Sequence, residues 1–365
     1  MQIKQEVKME RVVTAIASPN IAFVKFWGRR NEVLNLPHNP SVSMTLDAHM
    51  ISTTTSIVFS GCFKKDLLYI NGRSHEFEDS ANEILANTHA VLDTLRGIAG
   101  TEARALVVSE NSFPSDAGIA SSASGAAAFV QAAAEALGLD LTQKEMTIMG
   151  RNICGSGGRS LVGGFVLWHM GVLADGSDSF SEQIASQSHW PEMVDVIAIV
   201  DRKAKKVSSP EGLRRTWRTS TLYEGRPGFA EEGVRRLLRA IPQKDFDTVA
   251  EVIMRDSNNM HATALDAWPP IFYMTDVSKT IVYAVHEMND ASGKYIAAYT
   301  FDAGANAHII TTRENVNTVV EMLRKIEGVD DVIAAGVGEG PRIEDDMQKV
   351  LISQELTPII RERIR

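Results

Sequence analysis

The sequence predicts an α+β fold in two lobes, and three observations carry that reading. Apolar and alternating runs bounded by turn residues mix with runs of helical spacing along all 365 residues. Two loops dense in glycine and serine, 113–125 and 154–165, fall in the first half, and a Gly-Ala-Asn turn joins two strand-like runs in the second. A chain of this length can hold two lobes, each with its own core. The polar break at 185–192, ASQSHWPE, divides it into lobes of 1–188 and 189–365.

The elements follow in chain order. VVTAIASPNIAFVKFW (12–27) reads as a strand, a turn at Ser18-Pro19-Asn20 and a buried apolar segment. SVSMTLD (41–47) alternates like a strand, and DLLYING (66–72) ends in an Asn-Gly hairpin signal. Helical spacing with a glycine stop marks 80–100, and ARALVVSEN (103–111) is a strand that delivers the chain to the first glycine loop. An Ala-rich helix spans 119–138, a second helix about 142–153, and strands are expected at 164–170 and 195–201. Helices follow at 229–241, 244–255, 274–289 and 315–326, with strands at 294–304 and 307–313.

Composition excludes several classes. Hydrophobic content of 44% and charged content of 23% are ordinary for a soluble protein. A formal charge of −9 argues against nucleic acid or an anionic membrane as partner, while leaving local basic groups free to bind a small anion. Cys62 and Cys154 fit no metal-ligand spacing, so no protein metal site is expected and a reducing cytoplasm is the simplest setting. The chain has no apolar run long enough to span a membrane. Its start, MQIKQEVKMERVV, is too charged for a signal peptide.

Five constellations could carry chemistry. FPSDAGIASSASG (113–125) contains Asp116, Gly118, Ser121, Ser122 and Ser124. Bare N–H groups and hydroxyls at a helix start suit a phosphate; a plain strand-to-helix turn capped by Ser121 or Ser122 is the alternative. The loop matches neither the P-loop nor the dinucleotide fingerprint. In CGSGGRS (154–160), Arg159 can make a two-pronged contact with a carboxylate or phosphate, or pair with a local acid at the surface. Lys25 in FVKFWGRR sits among apolar residues, where an ammonium must find a partner or lose its proton unless it snorkels. Arg29 and Arg30 behind it address another anion or form a solvated charge pair. Asp302 in AYTFDAGANAH is a turn-former or a buried acid. Asp256, Ser257 and His261 in RDSNNMH suggest a Ser-His-Asp triad, but one contiguous helix without a nucleophile elbow does not build one. A packed helix end before Pro269-Pro270 is the better reading.

Taken together, ten blocks in order resemble one family. They are PNIAFVKFWGRR, NPSVSMTLD, INGR, FPSDAGIASSASG, GSGGRSLVGGFVLW, SHWPE, KKVSSPEGLRRT, RDSNNMHATALDAWPP, AYTFDAGANA and GVGEGP, running from residue 19 to 341. The chain is similar to the mevalonate diphosphate decarboxylases of the GHMP kinase superfamily. The resemblance implies a two-lobed GHMP-kinase-like fold with the active site in the cleft between lobes, a phosphorylated mevalonate as small-molecule partner, and a homodimer. It implies phosphorylation of a tertiary 3-hydroxyl by ATP and Mg²⁺, then loss of that phosphate and CO₂ to leave an alkene. Asp302 inherits the catalytic aspartate's place, with Lys25 and Arg159 beside it. Phe26, Arg29, Arg73, Ser156, Gly157 and Ser209 fall at substrate contacts, and the loop holding Asp116, Gly118, Ser121, Ser122 and Ser124 at the ATP phosphates. Such a trio suits the chemistry: Lys25 steadies the leaving phosphate, Arg159 orients the carboxylate, and Asp302 takes the hydroxyl proton or favours the cation at C3.

Four departures bear on the substrate. Phe26 stands for a tyrosine, Arg29 for a lysine, Cys154 for a serine and Pro210 for a donor-bearing residue, around the family's 5-diphosphate. Each lost donor costs about 1.5–3 kcal/mol if the anion stays, so a 5-monophosphate is expected. Asp116 in the phosphate loop would repel a triphosphate, unless it is a turn or cap residue pointing away. Lys203, Lys205 and Lys206, which could serve ATP, are present. The expected reaction is elimination of the 3-phosphate and CO₂ from mevalonate 3,5-bisphosphate to give isopentenyl phosphate. ATP and Mg²⁺ are needed only if a kinase half-reaction is retained. The alternative is an ATP-dependent phosphomevalonate or diphosphomevalonate decarboxylase with the same catalytic residues.

Overall fold

The computed structural model describes residues 11–77, 82–113, 121–200, 206–346 and 349–352. Strands β1 (Val13–Ala17) and β2 (Asn20–Val24) are buried throughout and part at Ser18-Pro19. A two-stranded ribbon of β3 (Arg29–Asn31) and β4 (Leu36–Pro37) precedes β5 (Ser41–Thr45) and β6 (Thr53–Ser60). Strands β7 (Leu67–Ile70) and β8 (Arg73–His75) form the expected hairpin, with Asn71 at φ 48° and Gly72 at φ 74° as its two-residue turn.

Helix α1 (Glu83–Ala99) starts where the Asn82 side chain accepts from the N–H groups of Ile84 and Leu85, and stops at Gly100 in the left-handed region. After β9 (Arg104–Asn111) come α2 (Ser121–Ala136), α3 (Gln143–Ile153) behind a Thr142–Glu145 capping box, and the single turn α4 (Gly157–Ser160). Strands β10 (Phe165–Trp168), β11 (Ser181–Ala185) and β12 (Met193–Ile199) lead to α5 (Ser209–Thr219), α6 (Arg226–Gln243), α7 (Phe246–Asp266) and α8 (Asp276–Ser292). The chain closes with β13 (Ala297–Phe301), β14 (Ala307–Thr312), α9 (Val316–Arg324), β15 (Asp331–Gly336) and β16 (Arg342–Ile343).

Three larger sheets result, ordered β16-β1-β6-β9-β7-β8, β11-β10-β5-β2 and β13-β14-β12-β15. Strand β7 runs parallel to β9, and the other described pairs are antiparallel. One core packs α1, α2 and α3 on the first sheet. The largest core joins Ile21, Phe23 and Met44 of the second sheet to Ile197, Ile253 and Phe301 from beyond residue 188. The segment 185–192 is thus no exposed linker, and Trp190 within it is buried. No helix among the described residues is long and apolar enough to cross a membrane.

Two elements differ from expectation for a tertiary reason. Strand β5 alternates in sequence, yet all five residues are buried; Ser41 and Thr45 are sealed by hydroxyl bonds to the Val24 and Val162 carbonyls. The helix expected at 244–255 is continuous with the packed helix end expected before Pro269-Pro270 and runs to Asp266, its polar residues satisfied from outside the helix. Asp256 meets Arg226, Ser257 accepts from the Phe301 N–H, and Asn258 donates to the Tyr299 hydroxyl.

Candidate active site

A cavity of about 410 Å³ collects Lys25, Arg29, Ser122, Ser156, Arg159, Ser209 and Asp302 from distant segments. That volume suits a small phosphorylated acid.

Lys25 is the first residue past β2 and Asp302 the first past β13. The Lys25 ammonium, its side chain 3% exposed, reaches the Asp302 carboxylate at 2.6 Å. Burial demanded a partner for that ammonium, and the partner lies 277 residues away. The Asp302 side chain is 32% exposed, an acid only half buried, with its carboxylate facing the cavity.

Arg159 belongs to α4 and is 4% exposed. Its Nε donates to Asn20 Oδ1 at 2.9 Å and a terminal nitrogen to Ser41 Oγ at 3.1 Å, with the guanidinium lying over the Trp168 ring. Burial pulls it down to about 10, opposed by the charge of Asp302, so it stays cationic at neutral pH. Among the described residues no carboxylate pairs with it, and its other terminal nitrogen is left for a ligand. It is not the surface arginine of the alternative reading.

The second loop packs tightly around this cation. A Cβ on Gly157 would meet the Gly150 carbonyl oxygen at 2.5 Å, so glycine there lets α4 sit against α3. Gly157 is not among the residues lining the cavity, so its expected substrate contact has no support from this geometry. Ser156 does line it. Cys154 lines it as well, its Sγ 3.3 Å from the Ser122 carbonyl oxygen, and burial pushes the thiol up.

Arg29 is the cation whose surroundings were least foreseeable. It is 7% exposed and its guanidinium pairs with Glu83, the first residue of α1, on the cavity wall. Phe26 packs at a tilt against Trp168 with ring centroids 4.8 Å apart, and Pro210 lines the wall beside Ser208 and Ser209 at the start of α5. Sequence reasoning missed Glu83, since an acid opening a helix reads as a dipole partner. It missed Asn20 and Ser41 as the holders of Arg159, although both sit in the PNIAF and NPSVSM blocks.

Other expected residues lie apart. Arg73 is exposed at the hairpin and is not among the cavity's lining, so its substrate contact is not supported by this geometry. Ser124 is buried, its hydroxyl engaged with Thr53 and the Ser121 carbonyl, so its expected phosphate contact has no support from this geometry. Ser121 and Ser122 open α2 onto a neighbouring cavity of about 200 Å³, and Ser122 faces both. Asp116, Gly118, Lys203 and Lys205 lie outside the described residues, and Lys206 is exposed. Among the described residues no group of three His, Cys, Asp or Glu side chains could hold a metal ion.

The fold is that of the GHMP kinase superfamily, with an acid and buried cations facing one cavity. Residues 17–181 match the family described as Diphosphomevalonate decarboxylase-like N-terminal domain, and residues 195–364 the Mevalonate 5-diphosphate decarboxylase C-terminal domain. The chain belongs to the mevalonate diphosphate decarboxylase family, and is a carboxy-lyase acting on a phosphorylated mevalonate. It is 38% identical to the diphosphomevalonate decarboxylase of Aspergillus fumigatus, over 92% of this chain and 95% of that one. A crystal structure of mevalonate 5-diphosphate decarboxylase superimposes with TM-score 0.82 at 34% identity, covering 94% of this chain and 99% of that one. A structure of MDDEF in complex with MVAPP, AMPPCP and magnesium gives TM-score 0.81 at 32% identity, covering 91% and 98%. These relatives are named for the diphosphate and favour the expected alternative over the 3,5-bisphosphate reading.

Proposed function

We propose that this chain carries out ATP-dependent decarboxylation of mevalonate 5-diphosphate, as a cytoplasmic homodimer with lobes 1–188 and 189–365. The observation that carries the proposal is the 2.6 Å contact between Lys25 and Asp302 on the cavity wall that also presents Arg159. The names of the relatives support the diphosphate, and the magnesium and AMPPCP of one neighbour support a nucleotide. In this chain the start of α2, with Ser121 opening on the second cavity and Ser122 on both, fits polyphosphate oxygens. Mg²⁺ bound mainly by phosphates and water needs no protein cage.

A bound nucleotide supplies the phosphoryl group that makes the 3-hydroxyl a leaving group. Asp302 accepts the proton of that hydroxyl, and Lys25, 2.6 Å away, holds the carboxylate in place. When the C3–O bond breaks, positive charge grows at C3 and negative charge on the departing phosphate; Asp302, once its proton has passed to solvent, favours the first and Lys25 the second. Arg159 holds the substrate carboxylate by hydrogen bonds until its C–C bond breaks, the electron pair closing the alkene as CO₂ leaves.

The pairing of Glu83 with Arg29, beside Phe26, Cys154 and Pro210, favours a second reading, a 5-monophosphate such as mevalonate 3,5-bisphosphate. That wall carries an extra negative charge and few donors. CO₂ release tests both: mevalonate 5-diphosphate with ATP and Mg²⁺, its 5-monophosphate with the same, and mevalonate 3,5-bisphosphate without nucleotide. Release from the first alone is expected. Release from the third would establish the second reading, and silence in all three would sink both.

A further inference from the structure

We propose that Asp256 and Ser257, consecutive residues of α7, are positioning residues that set the Lys25–Asp302 pair. The inference rests on the reading of that pair as catalytic. Both members stand one residue past the end of a strand, where the ladder no longer fixes the backbone, and the two strands belong to different sheets. No strand pairing links β2 to β13. Helix α7 packs on both and addresses each exit by its side chains. The Lys25 N–H donates to Asp256 Oδ2 at 2.7 Å, and the Phe301 N–H, one residue before Asp302, donates to Ser257 Oγ at 3.0 Å. Neighbouring residues of one helix thus hold the two backbone segments from which the ammonium and the carboxylate project.

The Lys25 peptide is gripped from its other side as well. Arg226 donates to the Lys25 carbonyl at 3.1 Å and to Asp256 Oδ1 at 2.6 Å, and Asn39 adds a bond of 3.1 Å to the same carbonyl. The Arg226 and Asp256 side chains are 0% and 1% exposed. A buried ion pair of this kind is a weak source of stability, since apolar residues of similar bulk often hold a fold as well. What this one adds is direction, because charged groups on both sides of a peptide allow it one orientation. Catalytic groups need placement within about 0.5 Å. The polar run RDSNNMH, which reads in sequence as a packed helix end, supplies that placement.

The test compares wild type with Ser257→Ala, Ser257→Thr, and the double replacement Asp256→Leu with Arg226→Met, which keeps the bulk of the ion pair. Each is assayed with mevalonate 5-diphosphate plus ATP and Mg²⁺ and with mevalonate 3,5-bisphosphate, and each is crystallised. On whichever substrate the wild type converts, the alanine and double variants should lose roughly tenfold or more in kcat with KM within about threefold. Ser257→Thr should recover most of the loss. The Lys25 Nζ–Asp302 Oδ1 separation should open past about 3.5 Å in the impaired variants only. Unchanged kcat, a loss with the separation kept, or a loss that threonine does not repair would overturn the proposal. If the double variant does not fold, the Ser257 pair of variants decides. A wild type that converts neither substrate would sink the functional reading, and the measured separations would still decide this one.

Discussion

Glu83 meets Arg29 across the wall of the cavity, an acid at the first turn of α1 against a cation of β3 that is almost wholly buried. A ligand anion at that wall must share Arg29 with a carboxylate, and the carboxylate repels it. Each further negative charge on the ligand raises that penalty.

Glu83→Gln should therefore favour the more highly charged substrate. The ratio of kcat/KM for mevalonate 5-diphosphate over its 5-monophosphate is expected to rise about tenfold, equivalent to about 1.4 kcal/mol. Steady-state kinetics on both substrates at fixed ionic strength measures it. An unchanged ratio would remove Glu83 from substrate choice.

Asp302→Asn keeps the shape of the acid and removes its basicity. We expect kcat to fall by about 10²–10⁴ with little change in substrate binding, read by turnover beside calorimetric titration. Loss of binding with kcat retained would assign Asp302 to holding substrate instead.

Arg159→Lys preserves charge but not the planar fork that reaches Asn20 and Ser41 together. The expected loss in kcat/KM is about 10- to 100-fold, the equivalent of about 1.5–3 kcal/mol. Arg30→Lys, at a residue whose guanidinium bonds the Leu173 carbonyl at 3.2 Å away from the cavity, is the control and should leave turnover intact.

His261 gives a pH signature. Burial, with the charge of Lys25, lowers it from 6.5 to about 4, so the folded protein prefers the neutral ring. Between those values the unfolded chain takes up a proton that the folded one refuses. Its contribution is complete above pH 6.5 and is lost as pH falls toward 4. Denaturant unfolding across that window should show a steeper decline for wild type than for His261→Gln, and parallel curves would refute it.

Local signals in the chain were legible where neighbours in sequence are neighbours in space. The Asn71-Gly72 turn and the Gly100 stop of α1 each need only a few consecutive residues. The packed helix end before Pro269-Pro270 was legible in RDSNNMH, while the partners of its polar residues, which lie on α6 and β13, were hidden. Buried β5 looked half exposed for the same reason, its hydroxyls being satisfied by carbonyls elsewhere.

By itself the sequence determined which side chains were available: a lysine in an apolar run, an arginine among glycines, an aspartate closing a strand, and ten blocks in a family's order. Only the tertiary structure decided what each one meets. Lys25 finds Asp302 across 277 residues, Arg159 finds Asn20 across 139, and Arg29 finds Glu83 across 54. The physical reason is that desolvation obliges a buried charge to have a partner while leaving its identity open. Chain packing chooses it, bringing the ends of strands from separate sheets to one helix.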